Sequence, residues 1–292
     1  MSFVKNIIKN DDSISIYKYE GKDLKEYNPE NIENLSSGSD NIRICFVDTE
    51  TTGLSNEKDH IIEIALKCVE LNKHTGENLK VIDGYEALQD PGMLIPEQAT
   101  RINGITDEDV KGQSIDWTVV EDIFKMSQLI ISHNARFDRP FIDKKLNLSK
   151  NKIWACSLVD IDWLERGFKN KSQEMLCIWH GFYYASHRAM IDVDSLIHLL
   201  THNTNEDNKP IVELIKNARK SWLKVYAHNS KIETKDVLRE NKYRWDPNKK
   251  VWYKIIKHTE MEEERQWLSD NIYPDNFSGQ FVEITPIDKY KE

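Results

Sequence analysis

The 292-residue sequence has no apolar stretch approaching the ~18 consecutive residues of a bilayer-spanning helix, so no membrane partner is expected. Its start, MSFVKNIIKNDD, lacks the long apolar core of a secretory signal, and a cytoplasmic location is the corresponding expectation. Cysteine is scarce. Cys45, Cys68, Cys156 and Cys177 form no Cys-x-x-Cys pair, which argues for reduced, mostly buried thiols rather than disulfides or a zinc site. No internal repeat with a period of about 20–50 residues stands out, so a repeat architecture is not indicated. Positive charge is also short: 40 Lys and Arg face 49 Asp and Glu, a net charge of −9. That balance weighs against an electrostatic grip on nucleic acid over the whole surface. What is present, 39% apolar and 30% charged residues, describes a folded globular chain with room for one main domain and something smaller.

Three regions follow from the texture of the chain. Residues 1–40 carry short alternating stretches and then the polar run NPENIENLSSGSD, read as a loosely attached extension ending in a flexible linker. Residues 41–205 open on IRICFVD, a β-branched and aromatic run typical of a buried strand, with further strands expected at Ile61–Leu71 and Leu79–Leu88. Helices are expected from Pro96, after Thr106 as N-cap, over Asp116–Lys125 and over Ala135–Leu146, with a strand at Gln128–Ser132. Strands grouped first and helices later, with one strand between, predict a mixed α/β layer fold. The polar segment THNTNEDNKP marks a boundary, and residues 206–292 read as a small α+β domain.

Three motifs carry candidate chemistry. In VDTETTGL, the period of two along a strand puts Asp48 and Glu50 on one side. Two carboxylates at the end of an apolar strand are costly unless a cation or donor neutralises them, although Asp, Thr and Gly also make ordinary turns. In SHNARFDRPF, Asn134 and Asp138 share a helical face, while Phe137 and Phe141 read as core. In SHRAMIDVDSLIHLL, His187 and Asp192 meet only if Asp192 is on the helix and His187 on the loop leading into it. Asp194 points away from Asp192. His198 and His202 have the spacing of a zinc pair but lack the Glu of His-Glu-x-x-His, and read as solvated or core-edge residues.

Taken together, Asp-x-Glu, then Phe-Asp, then His-x4-Asp, this chain resembles the DnaQ-like 3′–5′ exonucleases of the DEDDh group, including the proofreading epsilon-subunit type. DHIIEIAL (59–66) and RINGIT (101–106) match as well. The resemblance implies a ribonuclease H-like α/β domain with a five-stranded mixed sheet flanked by helices. It also implies that Asp48, Glu50 and Asp192 ligate one metal ion, that Asp138 holds a second, and that His187 acts as general base. Hard oxygen donors suit two Mg²⁺ or Mn²⁺ ions rather than zinc. Thr51, Leu54 and Asn134 are expected near the terminal nucleotide. The expected activity is release of nucleoside 5′-monophosphates from DNA 3′ ends in repair or proofreading-like trimming, with single-stranded DNA favoured and a polymerase or repair protein as a further partner. The alternatives are an exoribonuclease or oligoribonuclease, and an inactive nucleic-acid-binding module. The oligomeric state stays open.

Residues 222–258 hold ten basic side chains against four acidic ones, interleaved with aromatics. Arg244, Trp245, Lys249, Lys250 and Trp252 are therefore candidate nucleic-acid contacts, since exposed rings stack on bases and cations pair with phosphates. Against this, aromatics in a small domain usually form its core, and Trp245 and Trp252 read equally well as a packed pair.

Overall fold

A computed structural model describes residues 9–10, 12–24, 40–202 and 209–291. The chain divides into two units, Met1–Ala218 with Tyr290–Glu292, and Arg219–Lys289. In the first unit, β1 (Lys9–Asn10) and β2 (Ser13–Ile14) pair with each other, and β3 (Tyr17–Lys18) runs parallel to a later strand at Phe182–Tyr183. The main sheet comprises β4 (Asn41–Thr51), β5 (Ile61–Asn72), β6 (Lys80–Leu88), β7 (Leu129–Ser132) and β8 (Trp154–Cys156). Its order is β6-β5-β4-β7-β8, with β5 antiparallel to both neighbours and the β4–β7 and β7–β8 pairs parallel. This is the ribonuclease H-like arrangement expected from the motifs.

The helices of this unit are α1 (Glu97–Asn103), α2 (Asp107–Val110), α3 (Trp117–Met126), α4 (Ala135–Lys145), α5 (Gln173–Trp179), α6 (Ala189–Thr201) and α7 (Pro210–Ala218), with β9 (Phe182–Tyr183) between α5 and α6. Thr106 caps α2 through a reciprocal box with Asp109, and Asp116 caps α3. On β4, Ile42, Ile44 and Phe46 share a core with Val193, Leu196 and Ile197 of α6 and Ile211 and Leu214 of α7. Cys45 and Val47 on the opposite face are also fully covered. Burial on both faces explains why Ile44–Val47 reads as a continuous apolar run.

The N-terminal segment, expected to be loosely attached, is tied down over residues 12–24. The Tyr17 hydroxyl lies 2.7 Å from His198 Nε2 and 3.1 Å from His202 Nε2, and the Tyr19 ring stacks on His198 at 4.0 Å. These contacts make the two histidines core-edge residues. The linker expected over residues 28–39 lies outside the described residues. Lys67 of β5 donates to Leu24 O at 3.3 Å and forms a buried ion pair with Asp194 of α6. Gly21, at φ +64°, lets the chain turn directly over that carboxylate, where a Cβ would collide with it.

Residues 210–218, assigned from sequence to the C-terminal domain, form α7, whose apolar side belongs to the first core; the units divide after Ala218. Tyr290 rejoins that unit by donating its hydroxyl to Asp160 at 2.7 Å. The second unit is an antiparallel sheet, order β11-β12-β10-β13, of β10 (Trp222–Ala227), β11 (Arg244–Asp246), β12 (Val251–Lys257) and β13 (Gly279–Ile284). Leu223, Val225 and Ala227 pack on Leu238 of α8 (Lys235–Glu240) and on Leu268 of α9 (Met261–Asn271), giving the expected α+β domain. Among the described residues, no helix is long and apolar enough to cross a membrane.

The Lys67–Asp194 pair yields a stability prediction. Asp194→Ala strands a buried ammonium and should cost about 3–5 kcal/mol in urea unfolding, whereas Lys67→Met with Asp194→Leu should be close to neutral.

Candidate active site

The face of β4 that buries Ile42, Ile44 and Phe46 ends in Asp48 and Glu50, so the period of two carries the core straight into the site. Register places Ala65 opposite Asp48, and the ladder shifts by a bulge just after Glu50. Across this face lies the first turn of α6, which supplies Asp192; the helix N-terminus favours a negative side chain there. Asp48, Glu50 and Asp192 each bring one carboxylate oxygen to within 4.8 Å of the others. Asp138 comes from the other side. Pairing of β4 with β7 ends at Phe46, and the Thr49 amide beyond it donates to Asp138 Oδ1 at 3.1 Å, with the Thr49 hydroxyl at 2.8 Å. Asp138 is thus anchored beside the trio rather than within it, close enough to repel Asp48.

Electrostatics report the crowding. Burial, then the charges of Asp138, Asp192 and Glu50, push Asp48 well above the usual carboxylate range. Burial and Asp192 raise Glu50 to about 7, opposed by a donor from Asn103. Burial raises Asp138 to about 6 against the hydrogen bonds from Thr49, and Asp192 to about 6 against those from Tyr184 and the loop amides. Four acids held this way at neutral pH are relieved by taking up protons or by a nearby positive charge. Carboxylate oxygens alone, without thiolate or imidazole, form a donor set for hard divalent cations.

Asp192 also shapes the loop that carries His187. Its Oδ2 accepts the amides of His187 at 2.8 Å and Arg188 at 3.1 Å, and its Oδ1 accepts the Tyr184 hydroxyl at 3.0 Å. These bonds hold His187 in the left-handed region, φ +69°, with its side chain exposed. Glu63 directly opposes Glu50 across the β4–β5 ladder, an unfavourable like-charge pair. Arg188 relieves it, donating Nη2 to Glu63 at 2.8 Å and Nε at 3.1 Å, while the Ala189 amide donates to the same carboxylate at 3.0 Å. Tyr184, Glu63, Arg188, Asn103 and Thr49 were not singled out from sequence, although Glu63 and Asn103 lie within DHIIEIAL and RINGIT. The available signal was an acid within the apolar run Ile61–Leu66.

The other expected residues are placed as follows. Leu54 is 88% exposed on the loop after β4. Thr51 is buried, its hydroxyl donating to Gly53 O at 2.7 Å. Asn134 is exposed at the start of α4, without a side-chain capping bond. His133 is no competitor to His187: its ring nitrogens contact Ser157 Oγ at 2.7 Å and Lys171 O at 2.9 Å, and burial lowers it to about 4. In the second unit, Arg244, Trp245 and Lys250 are exposed. Lys249, also exposed, donates to the Tyr226 hydroxyl at 3.1 Å, and Trp252 packs against the core.

An acid-lined site at the end of the central strand of a ribonuclease H-like sheet defines a class of phosphodiester-processing domains. The family model described as Exonuclease (RNase_T) matches residues 45–200, and the chain belongs to that DnaQ-like exonuclease family. It is 32% identical over 162 residues to the DNA polymerase III PolC-type of Listeria innocua, covering 53% of this chain and 11% of that protein. It thus spans only about a tenth of that relative's length. It is 26% identical over 202 residues to the DNA polymerase III subunit epsilon of Treponema pallidum, covering 66% of this chain and 91% of the relative. Among solved structures, exonuclease X in complex with 5′ overhanging duplex DNA matches at a TM-score of 0.41 and 23% identity, over 59% of this chain and 98% of that one.

The raised carboxylates predict a pH signature. An acid with a raised folded pKa binds more protons folded than unfolded, so its stability contribution falls as pH rises from the unfolded value through the folded one. For Glu50 that window runs from about 4.5 to about 7. A divalent cation offsets the repulsion above it. Mg²⁺ or Mn²⁺ should therefore raise Tm more at pH 8 than at pH 5.5, measured by thermal unfolding.

Proposed function

We propose that this chain is a metal-dependent 3′–5′ exonuclease that releases nucleoside 5′-monophosphates from DNA 3′ ends. The observation that carries this reading is the convergence of Asp48, Glu50 and Asp192 beside the anchored Asp138. Asp48, Glu50 and Asp192 would hold one Mg²⁺ or Mn²⁺ ion, and Asp138 with Asp48 a second. Such a pair supplies positive charge on both sides of a scissile phosphodiester, favouring attack by water and departure of the 3′-oxygen. His187, exposed on its loop, takes the proton from that water, a role suited to imidazole near neutral pH. The P–O3′ bond breaks, the shortened strand keeps a 3′-hydroxyl, and the released nucleotide carries the 5′-phosphate. Leu54 and Asn134, both exposed, and Thr51 would contact the terminal nucleotide. DNA is favoured over RNA because the matching relatives are DNA polymerase III proteins, and a polymerase is the corresponding partner. A complete acidic set argues against an inactive binding module.

Asp48→Ala should abolish release of 5′-monophosphates from a 5′-labelled oligonucleotide, and His187→Ala should lower kcat about 10²–10⁴-fold while keeping the metal-induced rise in Tm. Full activity in both variants would refute the assignment. The same assay with RNA and dinucleotides tests the exoribonuclease alternative. Arg188→Ala, which loosens the His187 loop, should lower kcat about 10–100-fold with little change in KM.

A further inference from the structure

Unit 2 carries a second concentration of interaction chemistry, on the edge strand β11. This strand closes one side of the sheet, so one row of its backbone groups has no ladder partner. Trp245 at its centre is 48% exposed, its ring meeting Trp252 edge-on at 5.6 Å. Much of a large apolar ring therefore faces water.

Two lysines bracket this strand in left-handed backbone. Lys242 follows α8 at φ +66°. Its amide bonds Arg239 O at 3.0 Å and the Tyr243 amide reaches back to Leu238 O at 2.9 Å, the helix ending whose left-handed residue is usually glycine. Lys250 closes the β11–β12 turn at φ +51°, after Asp246 has accepted the amides of Asn248 and Lys249, each at 3.0 Å. That position too is ordinarily glycine. A Cβ in either place adds strain that glycine would relieve, and neither ammonium returns anything to the fold: Lys242, Lys250 and Arg244 between them form no ion pair among the described residues. Asp236 pairs with Arg239 at 2.8 Å, and Asp246 holds the turn amides. Strain kept at two glycine positions, each presenting an unpaired cation beside an exposed indole, fits a ligand rather than the fold.

We propose that this edge binds single-stranded nucleic acid, with Trp245 stacking on a base and Lys242, Arg244 and Lys250 pairing with successive phosphates. A single strand exposes base faces to an indole; a duplex hides them, and an acidic peptide would use the cations but not the ring. Arg244 and Trp245 alternate to opposite sides of β11, so the strand wraps the edge instead of lying on one face. The proposal rests on nucleic acid being the substrate, but the binding it describes needs neither metal nor hydrolysis.

The test uses the full chain in EDTA, with fluorescence anisotropy of labelled dT15 and rU15 and with polyglutamate as competitor. Lys242→Gly with Lys250→Gly should weaken both oligonucleotides severalfold and reduce the salt slope by about 1.4, at about 0.7 for each single-strand phosphate left without its lysine. The same variant should unfold at a Tm equal to or above wild type, which separates weaker binding from impaired folding. Trp245→Ala should weaken binding about 5–100-fold. Weakening of dT15 alone or rU15 alone also supports the site and identifies the sugar it prefers. Unchanged affinity in the lysine variant, or polyglutamate competing as well as the oligonucleotides, would overturn it. Binding that persists in a protein without nuclease activity would sink the active-site reading and leave this one standing. Hydrolysis of a dinucleotide by a lysine variant that still binds dT15 normally would do the reverse.

Discussion

Like charge gathered at the end of a buried strand is the constraint on which the first unit is organised. Asp48 and Glu50 continue the face of β4 that holds Ile44 and Phe46, so they cannot turn to solvent without breaking the core register. Asp192 meets them from the α6 N-terminus, and Asp138 stands one hydrogen-bonded step away through Thr49. Surrounding features moderate the repulsion this creates: small Ala65 leaves room opposite Asp48, the helix N-terminus favours the negative Asp192, and Arg188 neutralises Glu63. What those features leave uncompensated is the charge that the proposed divalent cations would offset.

The same contacts link charge to conformation. Asp192 accepts the two amides that fold the His187 loop, and Glu63 accepts both the Arg188 side chain and the first amide of α6. The Asp192 carboxylate and the neighbouring Glu63 therefore fix the loop from two directions, holding His187 at a left-handed φ. Positioning by a supporting shell gives the His loop a defined placement without burying its imidazole.

Much of this was legible in the sequence. Asp48 and Glu50 follow from a period of two on a strand, and Asp138, His187 and Asp192 from the family resemblance that the order of the motifs carries. Glu63, Arg188 and Tyr184 were not, because their roles depend on which residue of β5 faces Glu50 and on where the His187 loop lands, neither of which spacing determines. The docking of residues 12–24 was equally hidden: it rests on Tyr17 meeting His198, 181 residues away. The polar run THNTNEDNKP suggested a boundary near 206, yet the apolar side of α7 can be buried only against the first core. In the second unit, the Trp245–Trp252 contact was legible as a packed pair, whereas the left-handed lysines were visible only in the backbone.

The net charge of −9, which at first weighs against nucleic acid, becomes a local statement. Part of it is the carboxylate cluster around Asp48, while residues 222–258 carry ten basic side chains against four acidic ones. Affinity for a strand should then be modest and salt-sensitive, with metal adding only to the hold on the 3′ end. The central claim is that the carboxylates exist to hold metal, and calorimetric titration of Mn²⁺ into the full chain at pH 8 tests it most directly. The account predicts saturable binding approaching two ions per chain, lost in Asp48→Asn. A wild-type chain that binds no Mn²⁺, or an Asp48→Asn variant that binds it unchanged, would contradict it.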